Sequence, residues 1–255
     1  MYVPVAVVCL SFATGCSLIL PSSDELAGGE AAGQDGSCPG TAGPKMIDVG
    51  AYCIDSTEVT AQEYAAFLNA DVPTSDNPDA SCAVNNPSYE PATWPNGEID
   101  ERPVTFVDFC DAAGYCAFAG KRLCGGDGGA PIPSEGYDPP DPAHDEWYGA
   151  CTNGGTTAYP YGDVQVAEAC HRTPDGIVTN VQAYPSCHGK GAFELVFDLG
   201  GNASEWVNVC QGEYCRTNGG ATGISSDECS TDPVSIQVKL SEQSNLGFRC
   251  CADAK

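Results

Sequence analysis

With 255 residues, 42% of them hydrophobic, the chain has the material for one full-sized core. A formal charge of -25, from 35 acidic against 10 basic residues, excludes nucleic-acid binding as a main role, because a phosphate backbone would be repelled. Such acidity keeps a chain soluble and suits an extracytoplasmic protein that meets divalent cations, while 30 glycines and 19 prolines point to a loop-rich fold.

Residues 1–23 carry no charge, and "MYVPVAVVCLSFATGC" reads as an apolar targeting run ending in Ala13, Thr14 and Gly15 before Cys16. That ending resembles a bacterial lipoprotein signal over residues 1–16, with Cys16 as the lipidated residue. It departs from the pattern in lacking a basic start and in having Ala13 where a bulkier aliphatic is usual. The run is short for a span of about 20 apolar residues, and a plain secretory signal or an uncleaved anchor are the alternatives. Residues 17–45, rich in Gly, Ala, Ser and acidic side chains, cannot build a core and read as a flexible tether. The folded domain is expected over 46–255.

Of 16 cysteines, Cys9 and Cys16 belong to the targeting segment, which leaves fourteen. The number is even, and the spacings do not repeat as zinc knuckles do. Up to seven disulfides in an oxidising compartment are expected, with most pairings open at this level.

Along the folded part, "TEVTAQEYAAFLNA" predicts a helix with Thr60 as N-cap, Glu63 closing a capping box, and Tyr64, Phe67 and Leu68 on the apolar face. "VDFCDAAGYCAFAGKRL" predicts a second helix from Asp108 to Gly120, with Ala112, Tyr115, Cys116 and Ala119 inward. The stretches 71–103 and 125–146 read as long loops pinned by cysteines. Beyond residue 147, "FELVFDL" and "VSIQVKL" are the strand-like pieces.

The order of "YCIDSTEVTAQEYAAFL", "RPVTFVDFCDAAGYCAFAGKRL", "DEWYGACTNGG", "YPYGD", "GAFELVFDLGGNASEW" and "NLGFRCC" resembles the sulfatase-modifying-factor family, the formylglycine-generating-enzyme domain, from Met46 to Ala252. The resemblance implies an α+β formylglycine-generating-enzyme-like fold, an elaborated C-type-lectin topology that is loop-rich and disulfide-stapled. It implies a structural calcium ion held by the side chains of Asn202 and Glu205 and the carbonyls of Gly200, Gly201 and Ala203, consistent with hard oxygen donors and close backbone approach. A Gly-Gly-Asn turn with a buried, hydrogen-bonded Glu is the alternative for the same residues. A second calcium site would draw on Asp175 and the Ile177 carbonyl, with His171 standing near the position of the family's asparagine. The resemblance also implies a disulfide between Cys116 and Cys250, and makes Cys151 half of another.

The family enzyme holds copper(I) between two thiolates five residues apart, shortly after a Gly-Gly-Ser, and uses oxygen to convert a substrate cysteine to formylglycine. In "NGGATGISSDECSTD", Ala221 replaces the serine and Ile224 the first cysteine, so Cys229 is the one catalytic candidate. Counted back from "GFRC", Cys229 instead fits as the partner of Cys151. Copper is therefore not expected, whereas structural calcium is. None of His144, His171 and His188 belongs to a histidine–carboxylate set, and no nucleophile elbow or phosphate loop occurs. These readings favour a non-catalytic binding or structural lipoprotein of the cell envelope, with a protein or peptide ligand and a lipid anchor in the membrane. The alternatives are an active oxidase with a rearranged thiolate site that recruits Cys210 or Cys215, and a calcium-dependent glycan-binding module.

Overall fold

Most of this chain is loop, and its regular elements are short. The computed structural model describes residues 38–85, 87–95, 99–133, 140–172, 176–220, 227–230 and 236–255. They contain β1 (Met46–Asp48), β2 (Tyr52–Asp55), α1 (Ala61–Asn69), α2 (Ala80–Asn85), α3 (Phe109–Phe118), β3 (Arg122–Leu123) and β4 (Ile132–Pro133). Then follow α4 (Glu146–Cys151), β5 (Ser204–Gln211), β6 (Tyr214–Asn218), β7 (Ile236–Val238), β8 (Leu246–Phe248) and β9 (Cys250–Asp253).

Capping boxes start the two helices that carry the core. Thr60 Oγ1 accepts the Glu63 amide at 3.2 Å while the Glu63 carboxylate takes the Thr60 amide at 2.9 Å. Asp108 and Asp111 repeat the device on α3, at 2.8 and 3.2 Å. Each box satisfies two amides that a helix start leaves without internal partners. α3 stops at Phe118 because Ala119 caps it and Gly120 turns left-handed at φ 69°. The inward faces meet as aromatics: Tyr64 stacks on Tyr115 at 5.6 Å, and Phe248 stands edge-on to Tyr115 at 5.4 Å.

Two small sheets flank this core. One runs β1-β2-β9-β3, so the C-terminal strand is inserted between two earlier ones, with Cys53 opposite Ala252 and Arg122 opposite Cys251. In the other, β5 is central. It pairs antiparallel with β6, and parallel with β8 at Ser204–Trp206 and with β4 at Val209–Cys210. β7 pairs with the other side of β6. Residues 193–199, strand-like in sequence, form the end of a 3-10 turn (Gly191–Phe193) and one bridge, His188 to Phe197. Asp198 is left-handed there at φ 61°, which an extended strand does not accommodate.

Seven disulfides staple these pieces: Cys38–Cys53, Cys82–Cys110, Cys116–Cys250, Cys124–Cys251, Cys151–Cys229, Cys170–Cys187 and Cys210–Cys215. They suit an oxidising compartment. No helix among the described residues is long and apolar enough to cross a membrane. The lipidation candidate Cys16 and the tether up to residue 37 lie outside the described residues.

Candidate functional site

The stretch from Asp198 to Trp206 turns the chain into β5. Gly200 and Gly201 are there for proximity: a Cβ on Gly201 would stand 2.6 Å from the His171 carbonyl oxygen, and one on Gly200 3.0 Å from that of Asp227. The left-handed residue is Asn202, at φ 60°. Its Oδ1 accepts the Thr179 amide at 2.9 Å, tying the turn to the 176–180 loop.

Glu205, fully buried on β5, is the centre of a polar hub. Arg249, between β8 and β9 and equally buried, donates Nε to Oε2 and Nη2 to Oε1, both at 2.7 Å. Trp147 of α4 adds Nε1–H to Oε2 at 2.8 Å. Nη1 and Nη2 also donate to the Asp55 and Phe197 carbonyls, at 3.2 and 2.9 Å. Both charges are thereby paired and hydrogen-bonded, the condition for tolerating them in a core.

Two further carboxyls share the hub. Burial pushes Glu58 well above the usual carboxylate range; Asp198 and Glu205 add to this while Arg249 opposes it. Glu58 Oε1 accepts the Ala203 amide at 3.4 Å, and Oε2 has no hydrogen-bond partner among the described residues. Burial likewise raises Asp198 to about 6, against the Gln182 amide bonded to its Oδ2 at 2.7 Å. Arg249 pays desolvation, but Glu205, Glu58 and Asp198 outweigh it and raise its pKa.

The calcium set drawn from the sequence does not fit this geometry. Its one carboxylate, Glu205, is divided between Arg249 and Trp147, and the Asn202 oxygen is taken by Thr179. A divalent cation at Glu205 would stand beside a guanidinium. The contacts seen are those of a Gly-Gly-Asn turn with a buried, hydrogen-bonded Glu, the alternative for the same residues. For the second set, Asp175 lies outside the described residues, and the Ile177 carbonyl accepts His171 Nε2 at 2.8 Å. The described acidic groups close enough to share an ion are elsewhere: oxygens of Asp108, Asp111 and Glu242 within 4.8 Å of one another.

The thiolate donors of the copper chemistry are not free among the described residues. Cys229 is buried and bonded to Cys151, Cys210 is bonded to Cys215, and the other described cysteines are equally in disulfides. Soft-metal binding requires thiolates, and none stands free among the described residues. Ala221 and Ile224 lie outside them. His144 bonds Asp127 at 2.7 Å on the surface, and His188 bonds its neighbour's carbonyl at 2.8 Å.

An open pocket of about 280 Å³ lies between the α1 start and the 176–178 loop, lined by Trp94, Arg102, Val104, Phe106, Ile177 and Ser244. Phe106 on its wall is left-handed at φ 59°, a conformation that costs a bulky residue about 1 to 3 kcal/mol. Arg102 is held by Nε on Asp100 at 2.9 Å, and Ile177 is 60% exposed at the rim. Apolar walls with one ion pair are the usual make-up of a ligand pocket.

Sequence reading reached Glu205 and Asn202 but missed Glu58, Asp198, Arg249 and Trp147 as one hub. The available signal was an arginine inside the apolar run "LGFRCC" and a glutamate inside "STEVT", since buried charges need partners.

Fold and site together define a loop-rich α+β domain built around a buried glutamate–arginine pair and closed by disulfides. The family model described as sulfatase-modifying factor enzyme 1-like domain matches residues 21–254, so the chain belongs to that family. Among solved structures, it is similar to PvdO from Pseudomonas aeruginosa at 18% identity and a TM-score of 0.50, over 79% of this chain and 80% of that one. CarF is similar at 17% identity and a TM-score of 0.51, over 86% of this chain and 97% of that one. At these identities the likeness establishes the shared fold.

Proposed function

We propose that this chain is an exported member of the family that has left the oxidase chemistry behind and serves as a binding or structural module at the cell envelope, held there by a lipid on Cys16. The observation that carries the reading is that Cys229, the one cysteine left in the family's catalytic segment, is bonded to Cys151. Copper(I) oxidation needs two thiolates on one metal; Ile224 stands in place of the first, and that bond takes up the second. The pocket bearing Phe106 supports a binding role and is sized for one side chain of a peptide or protein ligand.

The test is turnover by the oxidatively folded mature chain. It would be incubated with copper(I), oxygen, a thiol reductant and a sulfatase-type Cys-x-Pro-x-Arg peptide, beside an active family enzyme, with peptide mass as readout. The expected result is an unchanged peptide mass. Conversion to formylglycine would overturn the reading in favour of a rearranged thiolate site.

A further inference from the structure

The seven disulfides differ in what they accomplish. Six join segments 15, 17, 28, 78, 127 and 134 residues apart, each between cysteines that are 4% exposed or less. The seventh, Cys210–Cys215, spans a separation of 5 and links directly opposed residues of the β5–β6 ladder. Glu205, Trp206 and Gln211 are already in register with Asn218, Thr217 and Tyr214, so the hairpin is closed without the bond. Closing so short a loop removes the least entropy from the unfolded chain. Stability thus explains this disulfide less well than the others.

Accessibility sets it apart as well. Cys215 is fully buried, but Cys210 is half-buried and lines an open cavity of about 610 Å³. Phe109, Ala113, Ala117 and Leu123 form its apolar wall, and Arg122 and Lys239 bring cations to the same cavity. Lys239 lies 5.2 Å above the Phe109 ring and is held by Asp79 at 2.7 Å. Both cations are paired, Arg122 with Glu146 and Asp253 and Lys239 with Asp79, so the wall carries no net positive field, and what sets the bond apart is its short loop and the exposure of Cys210.

We propose that Cys210–Cys215 is a redox-active disulfide that exchanges electrons with a dithiol carried on a polypeptide entering this cavity. The incoming thiolate attacks Sγ of Cys210, the one residue of the pair that is not fully buried. A mixed disulfide forms, the Cys210–Cys215 bond breaks, and Cys215 leaves as a thiolate that takes up a proton. The second thiol of the partner, on losing its proton, then attacks the partner's own sulfur in the mixed disulfide and releases Cys210. Two electrons and two protons have passed to Cys210 and Cys215, and the partner has become a disulfide. Neither metal nor oxygen takes part, so the reaction is separate from the family's oxidation.

The test uses the oxidatively folded mature chain under argon with a chelator present. A reduced peptide with two cysteines is added in graded amounts, followed by a quench with N-ethylmaleimide and peptide mapping. The expected result is alkylation of Cys210 and Cys215 together, at a peptide concentration at least tenfold below that which opens any other pair, with one peptide disulfide formed per chain and an unchanged near-UV circular dichroism spectrum. Prior opening of another pair, or persistence of this bond until the spectrum is lost, would overturn the proposal. Cys215→Ala should capture oxidised glutathione on Cys210, and Cys210→Ala should capture it at least tenfold more slowly. Equal rates would remove the assigned direction of attack, and the wild-type series decides the proposal if either variant fails to fold.

Discussion

Glu205 and Arg249 show how much one position can depend on another far along the chain. Each is fully buried, and removing either would strand the other charge in the core, a loss of about 3 to 5 kcal/mol. Beside them Asp198 is raised to about 6 by burial, and elsewhere Asp108, at the start of α3, is also raised to about 6, by burial with Glu242 adding. The sign follows from which state binds the proton. A carboxyl whose folded value exceeds its usual 3.8 binds protons more tightly when folded. Its contribution is complete below the usual value and is lost as pH rises through about 6. Asp79 and Asp100, lowered on balance by Lys239 and Arg102 despite desolvation, lose theirs only at more acidic pH. Thermal midpoints should therefore rise as pH falls from about 7 to about 5, with each raised group contributing on the order of 1 kcal/mol over that window. In Asp198→Asn the slope should flatten, since the amide oxygen can still accept the Gln182 amide while nothing titrates. A slope equal to that of the wild type would show that Asp198 is not raised.

At the scale of elements, packing can reverse a propensity. Gly114 sits inside α3, where alanine would ordinarily stabilise a helix by about 1 kcal/mol. Here a Cβ would stand 2.4 Å from Tyr89 Cε1 and 2.7 Å from its Cζ, against a ring that also packs on Phe67. Gly114→Ala should therefore destabilise the protein by about 1 to 3 kcal/mol, as read from denaturant midpoints. A stabilised variant would mean that the Tyr89 ring moves aside freely. Both long helices were legible in the sequence, because capping boxes and apolar faces are local signals. The β5–β6 hairpin was not. β5 buries residues on both faces, Val207 beside Trp206, so the alternation that marks a half-exposed strand is absent. "FELVFDL" misled in the opposite way, for Val196 and Leu199 are buried from a bent segment. Of the hub, Glu205 was legible through its motif. Arg249 was not, because which buried charges meet is decided by the insertion of β9 into the first sheet.

The whole molecule combines an excess of 25 negative charges with short elements, a balance that regular secondary structure alone would hold weakly. The cross-links anchor the C-terminal strand: Cys250 reaches α3 through Cys116, and Cys251 reaches Cys124. Replacing both Cys116 and Cys250 by alanine opens a loop of 134 residues and should cost about 5 kcal/mol. Replacing Cys210 and Cys215 opens one of 5 and should cost about 2 kcal/mol. Chemical denaturation of the two double variants checks the order. An equal or inverted cost would mean that the hairpin bond, not the long staples, organises the fold.

The proposed loss of the oxidase rests on Cys229 serving the fold, which leaves the family's catalytic segment without its thiolate pair. The most direct measurement is alkylation of the protein in strong denaturant without reductant, after purification from an oxidising compartment, followed by mapping of labelled peptides. No label from Cys38 to Cys251 is expected, together with a peptide containing Cys151 joined to Cys229. A free Cys229, labelled in full while Cys151 is free or bonded elsewhere, would contradict it and return the oxidase reading to first place.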